Sequence, residues 1–155
     1  MLRRLLAEGI GSLLLAATVI GSGIMAERLS GGNVAIALLA NTGATVAVLG
    51  VLISVLAPIS GAHFNPAVTL VVAVRRALSV RETAAYVVVQ IAGCCAGAWL
   101  AHVMFEMPLL QVSMRERSGI SQWLAEFVAT FGLLFVILGC PRDRNLAWLV
   151  AAWIG

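Results

Sequence analysis

SGAHFNPAVT, residues 60–69, is a polar, glycine-containing turn placed between stretches apolar enough to enter lipid. Asn65 and Pro66 favour a helix start, because asparagine is a preferred N-cap and proline at the first helical position loses no needed donor. The apolar residues that follow end at a pair of arginines. A helix over about 65–76 would be about 16 Å long, roughly half the thickness of the hydrocarbon layer. The stretch therefore predicts a re-entrant half-helix.

Irregular backbone at that depth survives only where protein buries it or where it lines a water-filled cavity. We interpret the turn before the half-helix as the lining of such a path. The positive end of the half-helix dipole would then lie near the middle of the membrane, with the arginines at its negative end.

The composition indicates a polytopic membrane protein. Hydrophobic residues make up 61% of the 155 residues and charged residues only 11%, whereas soluble domains are about 45–50% apolar and about 25% charged. The ten basic residues are all arginines scattered in ones and twos, which is typical of topology signals and not of a nucleic-acid surface. No catalytic triad, phosphate loop or metal-ligand spacing is present, so we expect no enzyme activity, cofactor, metal or nucleic-acid partner.

Four apolar runs reach the length of about 20 residues that a membrane helix needs; they are Leu5–Met25, Val34–Ala57, Thr83–Phe105 and Gln122–Cys140. Pro58 is expected to stop the second helix. A fifth run, from Leu146 to Gly155, is too short to cross, so we expect the chain to be incomplete. The first run has the flanking arginines of a cleavable signal peptide, but Glu8 would interrupt the apolar core of a signal.

The arginines divide unequally between the two sides of the membrane. One side would collect seven of them, namely Arg3, Arg4, Arg75, Arg76, Arg81, Arg142 and Arg144. The other side would collect Arg28, Arg115 and Arg117. The positive-inside rule therefore predicts a cytoplasmic N-terminus.

Two segments of the chain are similar to each other. LLAEGIGSLLLAATVIG begins at Leu5 and WLAEFVATFGLLFVILG begins at Trp123, and both carry an Ala-Glu pair near their start, at Glu8 and Glu126. Intramembrane acids are costly and usually bonded to something specific, so this match is more informative than the shared leucines. Three helices separate the copies, which predicts an inverted-topology repeat with the substrate path at the repeat interface.

The repeat divides the chain into two parts. Residues 1–121 would form the first repeat, with three spans, the half-helix and an outer loop, and residues 122–155 would begin a truncated second repeat with the fourth span and part of the fifth. The same offset applied to Asn65 predicts a second polar re-entrant motif near position 183, beyond Gly155.

SGAHFNPAVT contains an Asn-Pro-Ala signature and, with AEGIGSLLLA, AEFVATFGLL and QIAGCCAG, resembles the aquaporin or major intrinsic protein family over the whole chain. The resemblance implies an all-α, right-handed bundle of six spans with two half-helices meeting at the midplane, assembled as a homotetramer in the lipid bilayer. It implies a pore in each subunit that passively conducts water or small neutral solutes.

Carried onto this sequence, the resemblance makes Asn65, Pro66 and Ala67 the cytoplasmic-side half of the central constriction. The Asn65 amide oxygen can cap the half-helix and leave its NH₂ group to donate into the pore. The backbone carbonyls that should point into the path are those of Gly61, Ala62 and His63. The His63 side chain has two open readings, as a pore-lining or gating group and as a structural group bonded to the half-helix.

The family places one member of its outer selectivity filter twenty residues before the Asn-Pro-Ala signature, and here that residue is Thr45. Strict water channels carry a bulky aromatic residue there, so threonine implies a wider and more polar mouth. The resemblance is then to channels for glycerol, urea or metalloid acids such as arsenite, as in bacterial members associated with metalloid resistance, located in the inner (plasma) membrane.

Glu8, Glu126 and Gln90 are expected to brace re-entrant loops by hydrogen bonding to their backbone. Two alternatives from other classes stay open. One is an inverted-repeat secondary transporter, in which Glu8 or Glu126 relays protons. The other is a truncated chain that forms no conducting pore.

Overall fold

The computed structural model describes residues 1–111, 113–114, 116, 118–140 and 145–155. Its described part contains six helices and no strand: α1 (Leu2–Leu29), α2 (Val34–Ser60), α3 (Pro66–Val74), α4 (Val80–Met104), α5 (Ile120–Gly139) and α6 (Leu146–Ile154). Helices α1, α2, α4 and α5 are long and apolar enough to cross a membrane. The prediction of an all-α membrane bundle is confirmed. Four arginines used to predict its orientation, Arg115, Arg117, Arg142 and Arg144, lie outside the described residues.

Helix α2 does not stop at Pro58, and that prediction is wrong. The helix runs on to Ser60, with the proline inside its last turn. The proline ring removes one backbone donor, and membrane helices tolerate such a loss because nearby groups satisfy the freed carbonyl. The helix ends instead at Gly61, whose φ of 95° is left-handed and whose N–H donates to the Ala57 carbonyl. Glycine takes this conformation without a Cβ clash.

Helix α3 is the short helix expected after Asn65, but it ends at Val74 and not at Arg76. Arg76 has a φ of 59° and its N–H donates to the Ala73 carbonyl. The chain therefore leaves the helical path at the two arginines and turns toward α4, which begins after Ser79.

Helices α1 and α4 pack with their backbones in close approach. A Cβ added at Gly93 would meet the Gly9 carbonyl oxygen, and one added at Gly97 would meet the Leu13 carbonyl oxygen. Without a hydrophobic driving force between helices in lipid, such small-residue seams provide the van der Waals contact that holds them together. The seam places one face of α1 against one face of α4, behind the residue 61–65 turn.

Polar contacts join α1 and α4 at both ends of this seam. At the beginning, the Arg4 guanidinium pairs with Glu82 at 3.1 Å, and Glu82 also completes a capping box with Ser79. At the far end, Arg28 donates to the Phe105 carbonyl at 2.8 Å and lies over its ring. These contacts fix the two helices along their length as well as across the seam.

Helix α6 packs between α2 and α5, and its tryptophan side chains contact a glycine on each of these helices. The ring of Trp148 covers Gly50 of α2, and the ring of Trp153 covers Gly132 of α5. Trp153 also donates through Nε1 to the Ala129 carbonyl at 3.0 Å. Helices α5 and α6 thereby stand opposite α3 and enclose a space between them.

We expect Gly97→Ala to weaken the bundle and Gly43→Ala to strengthen it slightly. Both changes raise helix propensity by up to about 1 kcal/mol, but only the Gly97 methyl would strike a neighbouring backbone, whereas nothing lies within 4 Å at Gly43. Overpacking should lower the free energy of unfolding of Gly97→Ala by roughly 1–3 kcal/mol. Unfolding followed by circular dichroism in mixed micelles measures both variants, and equal stability of the two would contradict close packing at the seam.

Candidate functional site

A cavity of about 570 Å³ lies between the residue 61–65 turn, α3 and the helices that face them. Its wall is largely apolar, with Leu49, Ile53, Val68, Leu133 and Val150 among its residues. The polar side chains of the wall include Thr45, His63, Asn65 and Arg75, and Gly61 and Ala62 of the turn line it as well. Pro66, Ala67, Glu8, Gln90 and Glu126 do not.

Asn65 caps α3 with its side chain. Its Oδ1 accepts from the Ala67 N–H at 2.7 Å, and Pro66 occupies the first helical position. The Nδ2 group makes no hydrogen bond with the part of the chain that the structure describes. The amide therefore offers the cavity a donor, because its acceptor is used by its own helix.

The backbone that leads to Asn65 is held in an unusual conformation. Gly61, Ala62 and Phe64 all have positive φ, of 95°, 50° and 47°. A non-glycine residue in this region is strained by roughly 1–3 kcal/mol and persists only where its surroundings over-determine it. The turn thus needs strong partners for the N–H groups that it turns away from the cavity.

Glu8 provides those partners from α1. Its carboxylate accepts from the His63 N–H at 3.0 Å and from the Phe64 N–H at 2.9 Å, and the side chain is 0% exposed. Gln90 of α4 donates through Nε2 to the same carboxylate at 2.8 Å and to Thr69 Oγ1 at 2.9 Å. Charge-assisted bonds of this kind are about twice as strong as neutral ones.

His63 contacts both the cavity and α3. Its Nδ1 lies 3.1 Å from Thr69 Oγ1, while the Thr69 hydroxyl donates to the Asn65 carbonyl at 3.0 Å. Because that hydroxyl has one proton, the network assigns the donor role to His63 Nδ1 and leaves Nε2 as an acceptor. The ring is therefore fixed to the half-helix on one edge and lines the cavity as well.

Sequence reasoning missed Tyr86, which is fully buried and donates through its hydroxyl to the Ser60 carbonyl at 3.0 Å. Ser60 Oγ in turn accepts the Ala62 N–H at 3.1 Å. The Arg4 guanidinium lies over the Tyr86 ring at 5.5 Å. A signal was available, since Tyr86 lies four residues before Gln90 and so shares its helical face.

Thr45 lies on the α2 part of the wall, where its hydroxyl donates to the Asn41 carbonyl at 2.9 Å. Glu126 lies apart from the site: it is exposed on α5 and makes no side-chain hydrogen bond with the described residues. Within that same part of the chain, no group of three or more His, Cys, Asp or Glu side chains could hold a metal ion.

The chain matches the family described as Major intrinsic protein over residues 1–155. It is 53% identical to the aquaglyceroporin AqpS of Rhizobium meliloti (strain 1021) over 98% of this chain and 66% of that protein. It is 36% identical to nodulin-26 of Glycine max over 63% and 37% of the two chains, and 30% identical to aquaporin NIP6-1 of Arabidopsis thaliana over 92% and 46%. The match spans about two thirds of the first relative and under half of the other two. On this evidence the chain belongs to the major intrinsic protein family, whose members are channels.

Proposed function

We propose that this protein forms a passive membrane channel for small uncharged solutes, with water as a second cargo. The observation that carries the proposal is the Asn65 amide, which caps α3 and leaves its NH₂ group available at the wall of a largely apolar cavity. A solute that accepts this hydrogen bond can shed part of its hydration shell in the narrow path. The positive end of the α3 dipole at the same point opposes cations.

The charges of the site favour a channel over a coupled transporter. No carboxylate lines the described wall of the cavity. Glu8 is engaged by two backbone N–H groups and Gln90, so protonating it would weaken the turn. Glu126 is not among the residues that line this wall. A proton relay would need an acid that both lines the path and exchanges partners.

The small side chain of Thr45 favours solutes larger than water. Thr45 contributes a small side chain to the wall where an aromatic ring would narrow it. The name aquaglyceroporin, carried by the relative from Rhizobium, agrees with a glycerol-sized cargo. Urea and undissociated metalloid acids such as arsenous acid are similar in size and equally uncharged, and we include them in the proposed class.

We place the N-terminus in the cytoplasm of a bacterial cell and the protein in the inner membrane as a homotetramer. Arg3, Arg75, Arg76 and Arg81 are all exposed, as expected of groups at a membrane surface. Protease access to an N-terminal tag in spheroplasts checks the orientation. Native mass spectrometry in detergent checks the tetramer.

The full-length natural protein that contains this sequence should speed glycerol and urea entry into proteoliposomes. Stopped-flow light scattering after mixing with each solute measures the rate, and empty liposomes give the background. The rate should not change when a proton gradient is imposed, because no carboxylate lines the described wall of the cavity. A gradient-dependent rate would indicate a transporter, and a background rate from correctly inserted protein would indicate a chain that does not conduct.

Thr45→Phe should reduce glycerol flux at least tenfold and water flux much less, because a ring at this position would narrow the mouth below the width of a polyol. Thr45→Ser, which keeps the polarity and does not add volume, is the matched control and should retain glycerol flux. Both fluxes are measured on the same proteoliposomes. Equal loss of water and glycerol in Thr45→Phe would contradict a filter role for this position.

Glu8→Gln should destabilise the protein by about 3 kcal/mol and abolish solute flux. The amide carries no charge, and its NH₂ group cannot accept a hydrogen bond from the buried N–H groups of His63 and Phe64. Glu27→Gln is the control, since Glu27 is on the same helix and exposed. Unfolding in mixed micelles measures stability, and stopped-flow measures flux. Wild-type behaviour of Glu8→Gln would show that the turn does not depend on this carboxylate.

A further inference from the structure

We propose that Asn41, which does not line the cavity, is a positioning residue that determines what Thr45 presents to a passing solute. Asn41 lies on α2 one turn before Thr45, between α2 and α1. Its amide contacts both the Thr45 hydroxyl and the α1 backbone. This inference rests on the proposed channel function and concerns the selectivity of the same path.

Two acceptor atoms of Asn41, on the same helix, lie within reach of the Thr45 hydroxyl. Oγ1 lies 2.9 Å from the Asn41 carbonyl oxygen and 3.3 Å from Asn41 Oδ1. A hydroxyl has one proton, and here both acceptors within reach draw it away from the cavity. The backbone carbonyl at 2.9 Å and Oδ1 at 3.3 Å share this one proton, so turning the hydroxyl outward loses a shared bond that is stronger than the bond to the carbonyl alone. Thr45 therefore offers the solute oxygen lone pairs and a methyl group, but no donor.

The Asn41 side chain is itself held in the required orientation. Nδ2 donates to the Val19 carbonyl of α1 at 3.2 Å, which turns Oδ1 back toward Thr45. Gly23 provides the space for this, because a Cβ there would lie 2.7 Å from Asn41 Nδ2. Asn41 thus connects the packing of α1 against α2 to the chemistry of the cavity wall.

An acceptor without a donor favours solutes that carry several hydroxyl or amino groups. A polyol fills the mouth and must exchange water contacts for wall contacts, so it depends on a correctly oriented acceptor. Water is smaller and keeps hydrogen bonds to its neighbours in the file. The orientation of Thr45 should therefore affect the ratio of glycerol to water permeability more than either flux alone.

The test is a double-mutant cycle in the full-length natural protein, with the glycerol-to-water permeability ratio as the readout. Asn41→Ala and Thr45→Val should each lower the ratio roughly threefold, as expected for the loss of one hydrogen bond of ordinary net strength. Adding Asn41→Ala to Thr45→Val should change nothing further, because no hydroxyl remains to be oriented. Ser54→Ala is the matched control: Ser54 makes the same kind of bond, to the Gly50 carbonyl at 2.7 Å, but does not line the cavity.

A wild-type ratio in Asn41→Ala overturns the inference, and so does an equal effect of Asn41→Ala in the two backgrounds. Gly23→Ala gives the same test where Asn41→Ala inserts poorly, since its methyl displaces the Asn41 amide without removing any polar group. A lowered ratio in Gly23→Ala supports the inference and an unchanged ratio overturns it. Absence of any solute flux in the wild type is a different result, because it overturns the proposed function itself and the inference with it.

Discussion

The pair of hydrogen bonds from the His63 and Phe64 N–H groups to the Glu8 carboxylate is the interaction on which the rest of the site depends. A chain that turns within the membrane cannot leave backbone donors to water, and the left-handed residues of this turn cannot bond one another as a helix would. A single neutral carbonyl oxygen has only two acceptor sites. A carboxylate satisfies both and accepts from Gln90 as well, so one buried acid fixes the turn, the start of α3 and the position of the Asn65 cap.

Close packing of α1 on α4 is what allows this acid to act. Glu8 on α1 and Gln90 on α4 meet at 2.8 Å because Gly93 and Gly97 let the two backbones approach. A wider seam would separate them and leave a charged group in an apolar interior with fewer partners. Tyr86 extends the same face of α4 toward Ser60, so α4 supports the turn at two points one helical turn apart. The packing of α1 on α4 therefore determines the shape of the turn that lines the cavity.

The sequence was a good guide wherever the signal was local. Four long apolar runs predicted the four membrane-capable helices, and Asn65-Pro66 predicted the start of α3, because caps and hydrocarbon thickness act over a few residues. Glu8 was singled out because an acid in an apolar span needs a partner. The prediction that Pro58 ends α2 was wrong, since the helix continues through the proline to Ser60. Tyr86 and Asn41 were not given their roles, because a hydrogen bond between helices depends on their separation and rotation, which one sequence does not contain.

Two of the polar residues on the wall, Thr45 and Asn65, share a pattern of hydrogen bonding. Each has one half of its hydrogen-bonding capacity used by protein: Thr45 gives its proton to Asn41, and Asn65 gives its acceptor to the Ala67 N–H. What remains is an acceptor at Thr45 and a donor at Asn65, in a cavity whose wall is largely apolar. Under the proposed function, a solute with both hydroxyl protons and lone pairs meets a complementary partner at each, whereas a cation meets no carboxylate on the described wall. Selectivity for neutral solutes that form hydrogen bonds then follows from the groups that the protein leaves available, an acceptor at Thr45 and a donor at Asn65.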